Sequence, residues 1–221
     1  MVPLTVERAA STPVLRPARD VPDAAASLLE PGVARFSVAY GSNAAPARLR
    51  DKELTAHGAL LLPAVIPDWV AAFEARRTGY GAVPLTFVPA PGARTTTWVL
   101  GLPEELTPLL DRTEGRVPDG TPDEPGPEEP GGRFAPPGTY QLGRVGEVEV
   151  AGVARLRDAL AYLPGPATQV QVVDEAWRTW PEHDQPAAAA HVERDGPSRP
   201  PPPVPDPVLG PWPTTPLEPL G

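Results

Sequence analysis

Proline sets the strongest limit on this chain. It occurs 35 times in 221 residues, and the distribution is uneven: seven prolines fall in residues 117–138 and twelve in residues 182–221. Proline lacks the backbone N–H that helix interiors and sheet ladders need, so these two stretches are expected to lie outside the packed elements. The stretch 117–138 also carries five acids against one Arg133, which reads as an acidic insertion with no core of its own. Beyond Glu182 the sequence reads as a Pro/Ala-rich tail, expected to be disordered, whose Pro200–Pro203 run favours polyproline II. Residues 1–30 show no sustained periodicity beyond a possible helix from Pro22 to Glu30, and are read as an extension. An ordered domain is therefore expected over residues 31–181, long enough for a sizeable core.

Within that domain, Phe36, Val38 and Tyr40 alternate as one face of a strand that runs into Gly41-Ser42-Asn43. A helix is expected to follow from about Pro46 to Leu54, with Ser42 or Asn43 as its cap. Short strands are expected at residues 59–62, 69–73, 85–88 and 95–100, separated by Pro and Gly turns. Pro103-Glu104-Glu105 opens a helix with an inward stripe of Leu106, Leu109 and Leu110, closed by Gly115. After the insertion, residues 140–145 and 147–150 read as strands. Val153, Leu156, Leu160 and Leu163 have helical spacing, Val170 and Val172 suggest a strand, and Asp174–Trp180 suggests a helical turn.

The formal charge of −9 argues against a nucleic-acid partner, which would need clustered Lys and Arg to track phosphates. With no cysteine, the chain has neither disulfides nor a thiolate nucleophile. No apolar run reaches the ~20 residues of a membrane helix, so no membrane partner and a cytoplasmic location are expected. His57, His183 and His191 lack metal-ligand spacing, and no metal site is expected. Ser42 with His57 could be drawn as nucleophile and base, but the surroundings of Ser42 lack a nucleophile elbow. Trp177 and Trp180 read as packing residues of the last segment.

Two short segments carry chemistry. A strand ending in Tyr40-Gly41-Ser42-Asn43 makes a tight turn whose amides can converge on an anion or a developing oxyanion, although an ordinary capped connection would look the same. Glu114 sits at the carboxyl end of a helix and three residues after Asp111. Both neighbours disfavour a second negative charge, an arrangement suited to proton transfer if water is excluded. An exposed glutamate before a C-cap glycine is the alternative.

Phe36-Ser37-Val38-Ala39-Tyr40-Gly41-Ser42-Asn43 and Leu110-Asp111-Arg112-Thr113-Glu114-Gly115 together resemble the opening strand and the Leu-Asp-x-x-Glu-Gly segment of the gamma-glutamylcyclotransferase-like family. The resemblance spans roughly residues 33–175. It implies an α+β fold, a small mixed β-barrel with flanking helices, and an enzyme that cyclises a γ-glutamyl group to 5-oxoproline with release of an amine. It assigns proton transfer to Glu114, substrate binding to Tyr40, Gly41, Ser42, Asn43 and Tyr140, a small γ-glutamyl compound as partner, and no cofactor. The sequence departs from the family in placing the insertion 117–138 between Gly115 and Tyr140, where it would form a flap over the site. A non-catalytic interaction protein on the same fold, with the Pro-rich tail as its binding element for a protein partner, is the competing expectation.

Overall fold

The computed structural model describes residues 27–55, 58–116 and 135–220, together with the backbone of residues 4–9 and 12–17. Strands β1 (Leu4–Ala9) and β2 (Thr12–Pro17) form an antiparallel hairpin in the segment read as an extension. Then come β3 (Ala34–Ala39), a 3-10 turn (Gly41–Ala44) and helix α1 (Pro46–Asp51). Strands β4 (Leu60–Phe73) and β5 (Leu85–Pro103) follow, then a second 3-10 turn (Glu104–Leu106) and helix α2 (Thr107–Thr113). After the insertion come β6 (Tyr140–Arg144), β7 (Val148–Val150), β8 (Ala154–Leu156), β9 (Leu160–Pro164) and β10 (Val170–Val173). The chain closes with β11 (Ala176–Trp177), β12 (Thr179–Trp180), α3 (Gln185–Glu193), β13 (Ser198–Arg199) and β14 (Leu217–Pro219).

The result is a mixed α+β fold on a curled half-barrel sheet that has nine strands among the described residues, ordered β14-β8-β7-β4-β5-β3-β9-β6 with β12 added to β4. Its backbone is the antiparallel pairing of β4 and β5, which runs from Leu60↔Gly101 to Phe73↔Leu85. The four short strands expected from Pro and Gly punctuation are thus two long ones. Pro63 is tolerated inside β4 because its carbonyl accepts from Ala151 N–H at 2.7 Å, on the β7 side. In an antiparallel strand the missing Pro63 N–H points the same way, past the end of β7, so no bond to β5 is lost. Pro67 lies at a register shift before Trp69, where Asp68 takes φ +61°.

The helix expected over residues 153–163 is instead strand β8, a turn and strand β9, and the two strands have different partners: β8 pairs with β7 and β14, β9 with β3 and β6. Apolar residues at 156, 160 and 163 suit a helix as well as two strands with a turn between them. Here Asp158 takes φ +47°, Val145 N–H donates to Ala159 O (2.8 Å), and Ala159 N–H donates to Gly146 O (2.8 Å). Strand β9 lies between β3, parallel at Val38↔Ala161, and β6, and every residue of it is buried. A strand covered on both faces loses the alternation that would betray it. Residues 174–180 form strand and turn rather than a helical turn.

Adjacent residues feed two cores on opposite faces of the sheet. Val38, Val99, Ala161, Leu156 and Phe87 belong to one, and Ala39, Leu100, Tyr162, Leu49 of α1 and Leu110 of α2 belong to the other. Residues 182–220 pack on this frame, unlike the disordered tail expected from composition. Asp184 caps α3 by accepting from Ala187 N–H at 2.8 Å, and four consecutive alanines favour the helix behind it. Val204 packs on the first core, Trp212 is buried in the second, and β14 pairs with β8. Proline in an extended segment needs no ladder partner, so a Pro-rich strap can cover a sheet where a side-chain gap admits it. Gly143 supplies one such gap, since a Cβ there would lie 2.6 Å from Val204 Cγ1. Among the described residues no helix is long and apolar enough to cross a membrane.

Candidate functional site

The polar elements of the site are delivered by three chain segments that meet at the carboxyl end of β3. Strand β3 ends at Ala39, whose carbonyl accepts from Thr97 Oγ1 at 2.8 Å, and Tyr40 carries the extended backbone one residue further. Gly41 then turns the chain with φ +54°, a conformation that favours glycine. The Asn43 N–H is used within this turn, donating to Tyr40 O at 3.2 Å, so the amides ahead of that bond are those of Gly41 and Ser42. The Tyr40 ring sits 4.2 Å from Phe87, and its hydroxyl donates to Tyr162 O. Burial first, then nearby Glu74 and Glu114, push the Tyr40 phenol far up. Tyr40 stays protonated throughout the physiological range.

Helix α1 begins with Pro46 in its first turn and hands over to Lys52, which is 3% exposed. Its Nζ donates to Glu114 Oε1 at 2.5 Å, Asn43 Oδ1 at 2.7 Å and Ser42 Oγ at 3.4 Å. Three donors meet three acceptors, a match that a compact ammonium makes and a planar guanidinium does not. Glu114, 8% exposed, ends α2, and Thr113 Oγ1, whose proton goes to Leu110 O at 2.9 Å, lies 3.3 Å from the same carboxylate oxygen. Gly115 leaves the helix with φ +65°, and a Cβ there would meet Pro136 O at 2.0 Å. No side chain fits, because Ala135 N–H donates to Thr113 O (3.0 Å) and Gly138 N–H to Gly115 O (2.7 Å).

Tyr140, the first residue of β6, closes the ring. Its hydroxyl donates to Glu74 Oε1 at 2.7 Å, and burial, then the charge of Glu74, raise its phenol well above the ordinary value. Between these parts lies a cavity of about 280 Å³. Tyr40, Gly41, Ser42, Asn43, Glu114 and Tyr140, all singled out from the sequence, line it together. Ala135 and Pro136, the described end of the insertion, reach the cavity wall, while residues 117–134 lie outside the described residues and the flap expectation with them.

One expectation changes. Asp111 does not turn its charge on Glu114: its Oδ1 accepts from the Tyr162 hydroxyl (2.7 Å) and Trp212 Nε1–H (3.0 Å), and its Oδ2 from Arg116 Nη1 (2.5 Å). The charged group against Glu114 is a cation, Lys52. Sequence reasoning missed it, although the signal was present: Lys52 is the sole lysine in a chain whose other 18 basic residues are arginine. Arg76 and Arg48, which also line the cavity, carried no such mark. His57 lies outside the described residues, whereas His191 is buried against Pro197 O at 2.9 Å and His183 faces Thr179 O at 3.3 Å. Among the described residues no cluster of His, Asp or Glu is arranged to hold a metal ion.

No protein-family model matches this chain, and no curated protein matches it. Among solved structures it is similar to a gamma-glutamyl cyclotransferase, with 15% identity, a TM-score of 0.45, and coverage of 74% of this chain and 80% of that one. It is similar to YkqA from Bacillus subtilis, with 18% identity, a TM-score of 0.44, and coverage of 78% of this chain and 56% of that one. An uncharacterized protein from Homo sapiens is similar at 15% identity and a TM-score of 0.44, covering 74% of this chain and 80% of the other.

Proposed function

We propose that the cavity is the active site of a γ-glutamyl cyclotransferase, in which Glu114 moves protons and the Tyr40–Asn43 turn holds the γ-glutamyl group. The observation that carries this reading is the meeting of Glu114 and residues 40–43 in one cavity, joined through Lys52, from segments about seventy residues apart in sequence. In the reaction the substrate's α-amine attacks its own γ-carbonyl carbon, a C–N bond closes a five-membered lactam, and the original amide C–N bond breaks. Two protons pass from the α-nitrogen to the departing nitrogen. Glu114 accepts them and hands them on, as a carboxylate within reach of both nitrogens can. The Gly41 and Ser42 amides, not used within the 3-10 turn, are the donors for the carbonyl oxygen as it gains charge.

Nucleophile and electrophile belong to one molecule, so the protein's main task is to hold the folded conformer, and ordering of that kind supplies much of the rate. Lys52 fixes Glu114 to Asn43 and Ser42, which keeps the proton carrier in register with the turn that holds the carbonyl. Tyr40 and Tyr140 give their protons to Tyr162 O and Glu74, so each presents an oxygen lone pair rather than a donor to the cavity.

A second reading, a non-catalytic ligand-binding domain, is favoured by one observation: a buried ion pair such as Lys52–Glu114 also serves as a fixed structural contact. The tail is a weak candidate for its binding element, since Pro202, Pro203 and Pro205 face Trp69, Phe87 and Leu163 of their own domain. Incubation of the purified protein with a panel of γ-glutamyl amino acids, peptides and amines, with 5-oxoproline as the readout, separates the two. Release that depends on Glu114 is the expected result. No release from any member of the panel transfers the preference to the non-catalytic reading.

A further inference from the structure

The cyclisation chemistry leaves one arm of the cavity without a task. Glu74 directly follows β4 and is completely buried, and its backbone is fixed on both sides: its N–H donates to Pro84 O at 2.9 Å and its carbonyl accepts from Gln171 Nε2 at 2.9 Å. Both carboxylate oxygens are used on side chains that line the cavity. Oε1 accepts from the Tyr140 hydroxyl at 2.7 Å, and Oε2 accepts from Arg76 Nε at 2.6 Å. Enclosing a carboxylate this completely is costly unless its partners repay it, and here the partners are two groups held in fixed orientation.

Arg76 is the more informative partner. Glu74 holds its Nε, which fixes the plane of the guanidinium and leaves the two terminal nitrogens as a fork of donors on a side chain 38% exposed. Such a fork matches a carboxylate in shape as well as charge. The surroundings agree: the chain carries −9 overall, yet among the described residues the charged groups lining the cavity are Arg48, Lys52 and Arg76 against one carboxylate, Glu114. Lys52 is occupied by Glu114, and Arg48 is drawn aside to Asp51 (3.0 Å) and the Tyr80 ring (4.9 Å). Among the described cavity residues, Arg76 is the cation whose terminal nitrogens hold no carboxylate, with Glu74 on its Nε and Tyr140 beside it.

We infer that Arg76, aimed by Glu74, is the carboxylate-binding residue of this cavity, so that its ligands are γ-glutamyl compounds bearing a free carboxylate. The inference rests on the γ-glutamyl reading of the site. Two carboxylates qualify, the α-carboxylate of the glutamyl group and that of a departing amino acid, and both offer the same planar anion.

The test measures binding by calorimetry in a Glu114→Gln background, where bound ligand is not consumed. The ligands are γ-glutamyl-alanine, its analogue with the glutamyl α-carboxylate as the amide, and its analogue with the alanine carboxylate as the amide. Arg76→Gln leaves Glu74 buried without its cation, so the paired variant Arg76→Gln/Glu74→Gln, which neutralises both, is measured beside it. Each is expected to bind the diacid about 10- to 100-fold more weakly, the range for losing a charged hydrogen-bonded contact. The amide lacking the partner carboxylate of Arg76 should show no further loss in the variants, which identifies the source. Equal weakening of all three ligands, unchanged binding of the diacid, or no binding of any ligand when Arg76 is present overturns the inference. Turnover by the wild type is scored apart from this. Carboxylate-dependent binding without 5-oxoproline release sinks the cyclotransferase reading alone, and release that ignores both carboxylates and Arg76 sinks the Arg76 subsite alone.

Discussion

Asp111 and Glu114 stand three residues apart at the end of one short helix, both less than a tenth exposed, yet their surroundings are opposite. Asp111 accepts from three side chains, Arg116, Tyr162 and Trp212, and lies outside the cavity lining. Arg116 in turn donates to Val208 O (2.9 Å) and Gly210 O (2.5 Å), so this carboxylate ties the C-terminal strap to the turn that carries Glu114. Glu114 has its donor, Lys52, on one oxygen and lines the cavity. A saturated carboxylate is a rivet, whereas one held on a single oxygen is fixed in place with capacity to spare. Neighbouring positions of one helix thus separate a carboxylate that anchors the tail from one that faces the cavity.

The comparison can be broken most directly by exchanging the outcomes. Glu114→Gln is expected to lower 5-oxoproline formation about 10²- to 10⁴-fold, the usual worth of general acid–base catalysis, while thermal unfolding shifts little. Asp111→Ala should do the reverse, costing about 3–5 kcal/mol in denaturant unfolding because Arg116 is left buried without its counter-charge. If Asp111→Ala unfolds like wild type, or Glu114→Gln costs as much stability as Asp111→Ala, the division fails.

Lys52→Arg sharpens the Glu114 side. It keeps the charge but replaces three compact donors by a fork that cannot reach Glu114, Asn43 and Ser42 together, and a drop in kcat of about 10- to 100-fold is expected from the displaced carboxylate. Turnover equal to wild type would mean that Lys52 supplies charge alone. On the Asp111 side, Trp212→Phe keeps the ring against Tyr162, whose centroid lies 5.9 Å away, but removes the indole N–H. The expected cost is about 1 kcal/mol, read from the unfolding midpoint, with turnover changed much less.

The smallest effect concerns Glu74. Burial raises its carboxyl above the ordinary value of 4.5, opposed first by the Arg76 charge and then by the Tyr140 and Arg76 hydrogen bonds. Its proton is therefore held more tightly in the folded than in the unfolded state. The stability this contributes is complete below about pH 4.5 and fades as pH rises through the folded-state value. Glu74→Gln should flatten that decline in a series of melting curves, and an unchanged pH profile would show that Arg76 neutralises Glu74 in full.

Much of the site could be read from the chain because turns and helix ends are local. The Tyr40–Asn43 turn follows from an alternating strand that meets a glycine, and the Glu114–Gly115 helix end from a leucine stripe stopped by a residue with φ +65°. Lys52 was overlooked because a lysine after a short helix resembles any exposed lysine until its neighbours are known. The helix expected at 153–163 failed because leucine spacing is shared by a helix and by two short strands joined by a turn. The disordered tail failed because composition reports what a segment cannot build by itself, not the surface onto which it can be laid.

The sequence by itself thus determined the local devices: where the chain turns sharply, where α2 ends, and which two segments carry groups fit for chemistry. The tertiary structure alone decided that Lys52 stands between those segments, that Asp111 faces the tail instead of Glu114, and that a buried Glu74 aims Arg76 into the cavity. Backbone conformation is set by a residue and its near neighbours, whereas burial and polar pairing arise between groups brought together by the tertiary fold, up to 122 residues apart in the case of Tyr40 and Tyr162.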